Sequence, residues 1–244
     1  MATDVTSSVE PPWWRPPKQG PRIREPLTRD AIVSAAVRVL DAEGVDGLTV
    51  RRLAQELGTG PATLYWHVAG KAELGELVYD RIMGEVRLPP RDGSPWADQL
   101  KSFAREAFRV MRSHPGLALL SLGRVPVGPN MLRIMEWMLD VLLDAGVPDR
   151  IAGYFGDLLG RYLDASVLEE SLDPDWRSDD EAARARFQMI QDYFAALPPA
   201  EFPNLARLAD EMFAIGSDER FEMGLDILVR GLAALTEGQK PAGS

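Results

Sequence analysis

Residues 44–58, GVDGLTVRRLAQELG, and residues 61–68, PATLYWHV, decide the fold of this 244-residue chain. The first stretch repeats apolar residues at the spacing of one buried helix face: Val50, Leu53, Ala54 and Leu57. Gly58 then favours a helix end, and Pro61 suits the first position of the next helix. The pattern predicts two short helices that are joined by a tight turn containing glycine.

A longer helix is predicted on each side of this pair. Thr28 is a suitable N-cap for the first, and Gly44 ends it. Its expected buried face consists of Ile32, Ala35, Ala36, Val39 and Leu40. The helix on the other side begins at Lys71, stops before Pro89, and buries Leu74, Leu77, Val78, Ile82 and Val86. Together the segments predict a helix-turn-helix, whose second short helix is presented to DNA while Leu64 and Val68 hold it from inside.

The remaining chain keeps a helical pattern, and no strand-like alternation occurs in the sequence. Helices are expected at about 96–113, 115–122, 129–145, 149–170, 179–196, 204–214 and 218–236. The predicted fold class is all-α. We divide the chain into a Pro-rich basic arm (1–26), a helix-turn-helix DNA-binding domain (27–73) and a larger helical regulatory, ligand-binding and dimerisation domain (74–244).

The composition removes several kinds of chemistry. With no cysteine, the chain has no disulfide, no thiolate metal site and no cysteine nucleophile. No Gly-x-Ser-x-Gly elbow, paired-histidine zinc motif or P-loop occurs, so an enzyme is not expected. The sequence also lacks an apolar run long enough for a membrane span and the apolar core of a signal peptide. A cytoplasmic protein without membrane partners is therefore expected.

The charge of the chain is unevenly distributed. The net charge is −10, although a DNA-binding surface is usually basic. Residues 1–87 carry 11 Lys and Arg against 12 Asp and Glu, whereas residues 88–244 carry 16 against 25. The acidity thus belongs mainly to the C-terminal part. In the arm, Arg22 and Arg24 either enter a minor groove beside the main site or belong to a disordered solvated tail, and the sequence leaves both interpretations open.

Several side chains of the predicted reader have chemistry that suits DNA. Arg51 and Thr63 stand where side chains reach base edges, and arginine can make a bidentate contact with guanine. Polar groups that can reach phosphate or sugar belong to Tyr65, Trp66, His67 and Lys71. The competing interpretation, that the aromatic run only packs a small core, is less favoured because three consecutive helical residues project over most of a turn.

Residues 44–58, 61–68 and Lys71 closely resemble the DNA-binding domain of the tetracycline-repressor (TetR) family. The resemblance implies that Arg51 and Thr63 contact bases. It further implies contacts to the DNA backbone or to base edges from Thr49, Tyr65, Trp66, His67 and Lys71. This chain has Pro61 where the repressor has glutamine, so a glutamine–adenine contact is lost and a different operator sequence is expected.

The same resemblance suggests an effector pocket in the C-terminal domain. Alignment with the repressor's drug-contact positions indicates Phe103, Ser121, Ile134, Trp137 and Phe155. Met138, with Met131 and Met135, would add adaptable lining. The competing interpretation is that these residues are ordinary core. The repressor's histidine ligands for magnesium correspond to Arg87 and Ser121 here, and His114 is interpreted as a helix-end residue. No metal and no cofactor are therefore expected, and the effector is not a magnesium–tetracycline chelate.

Residues 221–232 also resemble the last helix of the repressor, which implies a homodimer. Apolar residues in this helix alternate four and three apart, at Phe221, Leu225, Leu228, Leu232 and Leu235. A four-helix seam would combine them with Ile151, Phe155, Leu158 and Tyr162 of the long helix. Burial within one subunit is the alternative.

The predicted function is that of a ligand-responsive transcriptional regulator. We expect a homodimeric repressor that is released from a palindromic double-stranded DNA operator by a small molecule, such as an antibiotic or another secondary metabolite. The alternative is a helical small-molecule-binding or scaffold dimer without DNA binding.

Overall fold

The computed structural model describes residues 27–114, 116–121, 125, 127–172, 181–214 and 216–237. All regular structure in these ranges is helical, so the predicted fold class is confirmed. The helices are α1 (Arg29–Gly47), α2 (Val50–Glu56), α3 (Pro61–Tyr65), α4 (Lys71–Met83), α5 (Trp96–Arg112), α6 (Leu117–Ser121), α7 (Pro129–Asp144), α8 (Asp149–Leu172), α9 (Glu181–Ala195), α10 (Pro203–Ala214) and α11 (Ser217–Glu237).

The first three helices form the predicted small unit. Thr28 caps α1, because its side chain accepts a hydrogen bond from the N–H of Ala31. Gly44, at φ 69°, breaks the helical backbone inside the range of α1, which confirms it as the end of the first regular segment. The predicted face of α1 is buried throughout: Ile32, Ala35, Ala36, Val39 and Leu40. Helices α2 and α4 pack against α1, and α3 packs against α2.

Helix α4 connects this unit with the rest of the molecule, and it is shorter than predicted. It packs against α1 on one side and against α5, α6 and α7 on the other. It ends at Met83 rather than just before Pro89. At this end the N–H of Gly84 closes the last turn of the helix. A Cβ at position 84 would lie 2.9 Å from the side-chain nitrogen of Asn130. The docked Asn130 side chain therefore occupies the space beside the helix end.

The regulatory part is built around α5, α7 and α8, with α11 along α5 and α8. Phe108 and Phe221 stack there at a centroid distance of 4.0 Å. Helices α9 and α10 pair with each other through Phe187, Phe194 and Phe213, whose ring centroids lie 5.2 to 5.6 Å apart. Within the described residues, none of the helices is long and apolar enough to cross a lipid bilayer.

Candidate DNA interface and effector cavity

Helix α2 is fixed at its start and along its inner face. Thr49 caps it by accepting a hydrogen bond from the N–H of Arg52 at 3.1 Å. Leu53 and Ala54 are fully buried beneath it. Because Thr49 performs this capping role with its side-chain oxygen, the predicted DNA contact of Thr49 would be made by a residue that also holds the helix end.

The two adjacent arginines of α2 have different environments. Nε of Arg52 donates to Glu43 at 2.7 Å and Nη1 donates to Glu56 at 3.1 Å, so this side chain ties α2 to α1. The hydrogen bond with Glu43, followed by that with Glu56, raises the pKa of Arg52. Arg51 is exposed and forms no ion pair with any residue that the structure describes. It is the arginine available to an external partner. Gln55, one turn later and also exposed, shares its face; the i, i+4 spacing could have indicated this from sequence.

Helix α3 is anchored by buried side chains on its inner face, and the side chains of its outer face are exposed. Leu64 is fully buried, as is Val68 just beyond the helix, which confirms the predicted anchors. Tyr65 is 59% exposed and Trp66 is 89% exposed, so the interpretation of these two as core is wrong. These two adjacent aromatic side chains add little to the packing of the fold and leave an apolar surface that a partner can cover.

The other predicted DNA contacts surround this helix. Thr63 and Lys71 are exposed and His67 is half-buried. The turn between α3 and α4 is fixed by Glu73, which accepts a hydrogen bond from the N–H of Ala69 at 2.6 Å and one from Arg29 at 3.1 Å. Lys71 thus begins a helix whose start is held in place. Arg22 and Arg24 of the basic arm lie outside the described residues.

A buried aspartate joins α4 to α7, and sequence reasoning missed it. Asp80 is 9% exposed, and one of its carboxylate oxygens accepts the backbone N–H groups of Asn130 and Met131, both at 3.0 Å. The Asn130 side chain returns two hydrogen bonds, to the other carboxylate oxygen and to the carbonyl of Asp80. Because Gly128 has no side chain to cap α7, an aspartate from another helix does so. Asp80 and Asn130 are 50 residues apart in the sequence, and no local sequence pattern indicates such a cap.

A cavity of about 420 Å³ lies beside this cap, between the small N-terminal unit and the regulatory part. Its wall includes α1 and α4, through Arg29, Glu73, Glu76, Leu77, Tyr79 and Asp80, and the region from α6 to α7, through Leu120, Ser121, Val127, Gly128 and Pro129. A molecule bound here would touch both halves of the protein. A second cavity, of about 550 Å³, lies between α5 and α11.

Comparisons with known proteins agree with this geometry. Residues 32–78 match the model of the bacterial regulatory proteins of the tetR family, and residues 88–236 match the tetracyclin repressor-like C-terminal domain. The chain belongs to the tetR family. The two matches together include both the reader and the regulatory helices.

Individual relatives of this tetR-family chain are regulators. An HTH-type transcriptional regulator of Saccharopolyspora erythraea is 38% identical over 91% of each chain. The HTH-type transcriptional repressor DrrR1 of Streptomyces coeruleorubidus is 32% identical over 95% of this chain and 87% of its own. The structure of Streptomyces coelicolor ActR in complex with actinorhodin superposes with a TM-score of 0.80 at 42% identity, covering 89% of this chain and 99% of ActR. The expectation of a ligand-responsive DNA-binding regulator is confirmed.

The predicted pocket residues of this tetR-family regulator are all buried in the regulatory part: Phe103, Ser121, Ile134, Trp137, Met138 and Phe155. Phe103 and Trp137 touch at a centroid distance of 5.3 Å, and Nε1 of Trp137 donates to the carbonyl of Pro89. Ser121 alone of the six lines one of the two cavities described above. The other five pack as core here, and Met135 is 38% exposed.

The predicted dimer seam is turned partly inward. Phe221, Leu225 and Leu232 are buried within the subunit, so for them the alternative interpretation is correct. Gly224 lies against the Tyr162 hydroxyl of the same chain, which also donates to the carbonyl of Phe221 at 2.7 Å. The apolar side chains left exposed on α8 and α11 belong to Tyr154, Met223, Ile227 and Leu235. The heptad-like repeat used to predict the dimer face includes the apolar residues of α11 that pack against α5 and α8 of the same subunit.

His114 follows α5, and its contacts agree with a helix-end residue. Its Nδ1 lies 2.8 Å from a carboxylate oxygen of Asp41, and its Nε2 lies 3.6 Å from Glu85. These contacts join the regulatory part to α1 and to the segment after α4. No group of three or more potential metal ligands occurs among the described residues.

Proposed function

We propose that this chain is a homodimeric repressor whose operator contacts are made by α2 and α3. Arg51 and Thr63 read base edges, while Tyr65, Trp66, His67 and Lys71 bind backbone or edges and Thr49 does so from the start of α2. The observation that carries the proposal is the exposure of Tyr65 and Trp66 on a helix held by the buried Leu64. The basic arm, through Arg22 and Arg24, adds contacts in a neighbouring minor groove.

The dimer forms through the exposed apolar side chains of α8 and α11. Four of these side chains are 47 to 65% exposed: Tyr154, Met223, Ile227 and Leu235. In helical dimers, apolar helix faces of this kind are covered by the helices of the second subunit. Two copies related by a two-fold axis present two readers, so the operator is a palindrome. The protein works in the cytoplasm, where the chromosomal operator lies, and it catalyses no reaction.

The effector is an antibiotic or another secondary metabolite that binds without metal in the regulatory part. ActR, a structural relative, is described in complex with actinorhodin. The buried apolar residues Phe103, Ile134, Trp137, Met138 and Phe155 can separate to admit a planar molecule, and Ser121 marks the side where a cavity already exists.

Release of the operator on effector binding follows from the position of α4. The helix carries Lys71 at one end and the Asp80 cap near the other, and it forms part of the cavity wall. An effector that binds better to one orientation of α4 changes the separation of the two readers. Because the cap fixes α4 to α7 through three hydrogen bonds to the Asp80 carboxylate, movement of one helix is transmitted to the other.

The decisive experiment is selection of bound sequences from random duplex DNA by the full-length protein. Arg51→Ala is compared at the same salt concentration with Arg207→Ala, which removes an exposed charge from α10. We expect wild type and Arg207→Ala to enrich one palindrome and Arg51→Ala to lose it. If wild type enriches no sequence, the scaffold dimer without DNA binding is the correct function. Actinorhodin is then added to the wild-type complex as the first effector probe.

A further inference from the structure

A carboxyl group with one unpaired oxygen is buried in the middle of the regulatory part. Asp164 of α8 is 9% exposed, and its Oδ1 has no hydrogen-bond partner among the described residues. No described cation contributes to the pKa of this carboxyl. Buried polar groups are normally satisfied, and a carboxylate left alone in a core destabilises the fold. An unpaired group of this kind is expected where an external molecule supplies the missing donor.

Two hydroxyl groups connect Asp164 with the cavity of about 420 Å³. The Ser121 hydroxyl donates to the carbonyl of Ala118 at 2.9 Å, and its interaction with the Asp164 carboxyl and with the phenol of Tyr79 lowers the pKa of each. Ser121 and Tyr79 belong to the wall of that cavity. Burial is the main reason that the pKa of Tyr79 is raised, and the charge of Asp164 raises it further, so the phenol remains a neutral donor and acceptor. The three residues form a continuous polar path from the cavity to the carboxyl.

The charge of the cavity wall selects the sign of a ligand. Among the described residues of the wall, Glu73, Glu76 and Asp80 contribute three carboxylates, and Arg29, the one cation, is paired with Glu73. Burial raises the pKa of Asp164 to about 6, which leaves it ionised at neutral pH. An anionic molecule would meet uncompensated negative charge here, whereas a cation would satisfy Asp164 and be stabilised by the wall.

We infer that the effector carries a protonated amine that pairs with Asp164, with Tyr79 and Ser121 accepting its further N–H groups. The apolar body of the molecule lies against Leu77, Leu120 and Val127, which line the same cavity. This inference rests on the proposed function and specifies the chemical class of its effector. A volume of about 420 Å³ accommodates a planar molecule of two or three fused rings.

The probes are 9-aminoacridine, a cation, and acridine, which has the same ring system and is neutral at about pH 8. Binding to the full-length protein is measured by titration calorimetry. The variants are Asp164→Asn, which keeps the shape and removes the charge, and Asp140→Asn, which removes an exposed carboxylate from α7. Circular dichroism melts verify that both variants fold.

We expect wild type and Asp140→Asn to bind the cation at least about 10-fold more tightly than the neutral ring, because the neutral ring leaves the buried Asp164 carboxylate unpaired. Asp164→Asn should lose this preference. Equal binding of the two probes by wild type, binding of neither, or an unchanged preference in Asp164→Asn would each overturn the inference. Operator selection is scored separately, so an enriched palindrome together with any of these results rejects only the amine and leaves the proposed function intact.

Discussion

The proposed DNA reader and the inferred effector site have their functional groups in opposite environments. In the reader, Trp66 and Arg51 are exposed and only their anchors are buried; in the effector region, Tyr79, Ser121 and Asp164 are buried with the core. A side chain that meets DNA on the outside adds little to folding, so it can be changed without unfolding the protein. A side chain that meets an effector inside also belongs to the packing. Stability and function therefore separate at Trp66 and Arg51 and are coupled in the regulatory part.

The largest effect that tests this contrast is expected at Leu64, the buried anchor of α3. Leu64→Ala removes a fully buried side chain and leaves a cavity under a five-residue helix. We expect a loss of about 2 to 5 kcal/mol in the free energy of unfolding and the loss of operator binding. Urea unfolding and a DNA-binding titration measure the two. Operator affinity equal to that of wild type in a destabilised variant would show that α3 is positioned by other contacts.

The second prediction is a substitution that increases the free energy of unfolding. The pKa of Asp164 is raised from 3.8 to about 6 by burial, so the folded protein binds a proton more tightly than the unfolded chain does. The carboxyl is protonated in both states at low pH; as the pH rises from about 4 to about 6 the penalty appears, and it is complete above that range. Asp164→Asn should therefore increase the free energy of unfolding by about 2 to 3 kcal/mol at pH near 8.

The pH dependence provides the control for this prediction. The gain should shrink to almost nothing near pH 4, since Asp164 is then neutral in wild type. Asp140→Asn should show neither the gain nor its pH dependence. Urea unfolding of the three proteins at both pH values decides the matter. A variant that is less stable than wild type at high pH would mean that Asp164 has a stabilising partner.

The third prediction concerns the connection between the two regions. In Asp80→Asn one carboxylate oxygen becomes an NH₂ group, which cannot accept the hydrogen bond from the Asn130 side chain. We expect a loss of about 1 to 3 kcal/mol in the free energy of unfolding, as for a buried polar group that loses its partner. The same variant should bind operator but respond less to effector, because α4 and α7 are held together by fewer hydrogen bonds.

Release of operator by the effector, measured by fluorescence anisotropy, tests the coupling, with Arg81→Gln on the exposed side of α4 as control. A full response in Asp80→Asn would show that another contact transmits the movement. The contact of His114 with Asp41 is the alternative route, because it also joins the regulatory part to α1.

The contrast also explains what sequence could predict. Periodicity located α1 to α4 and the anchors Leu64 and Val68, since local patterns decide which face of a helix is buried. The Asp80 cap and the Asp164 cluster depend on residues 40 or more positions apart, and a single Asp within an apolar helix pattern does not reveal its partner. The seam residues Phe221, Leu225 and Leu232 show the same limit: α11 carries apolar residues on both faces, and only the position of α5 and α8 shows that these three are covered within the subunit.

The smallest expected change in stability belongs to Trp66, which sharpens the comparison most. The side chain is 89% exposed, so Trp66→Ala should alter the free energy of unfolding by less than about 0.5 kcal/mol. Operator affinity should nevertheless fall about 10-fold or more, because a contact that positions the reader on the DNA backbone is lost. Met189→Ala, at another strongly exposed apolar side chain on α9, should change neither quantity. If Trp66→Ala left operator affinity unchanged while it lowered stability, the indole would belong to the fold, and the separation of stability from function in the reader would not hold.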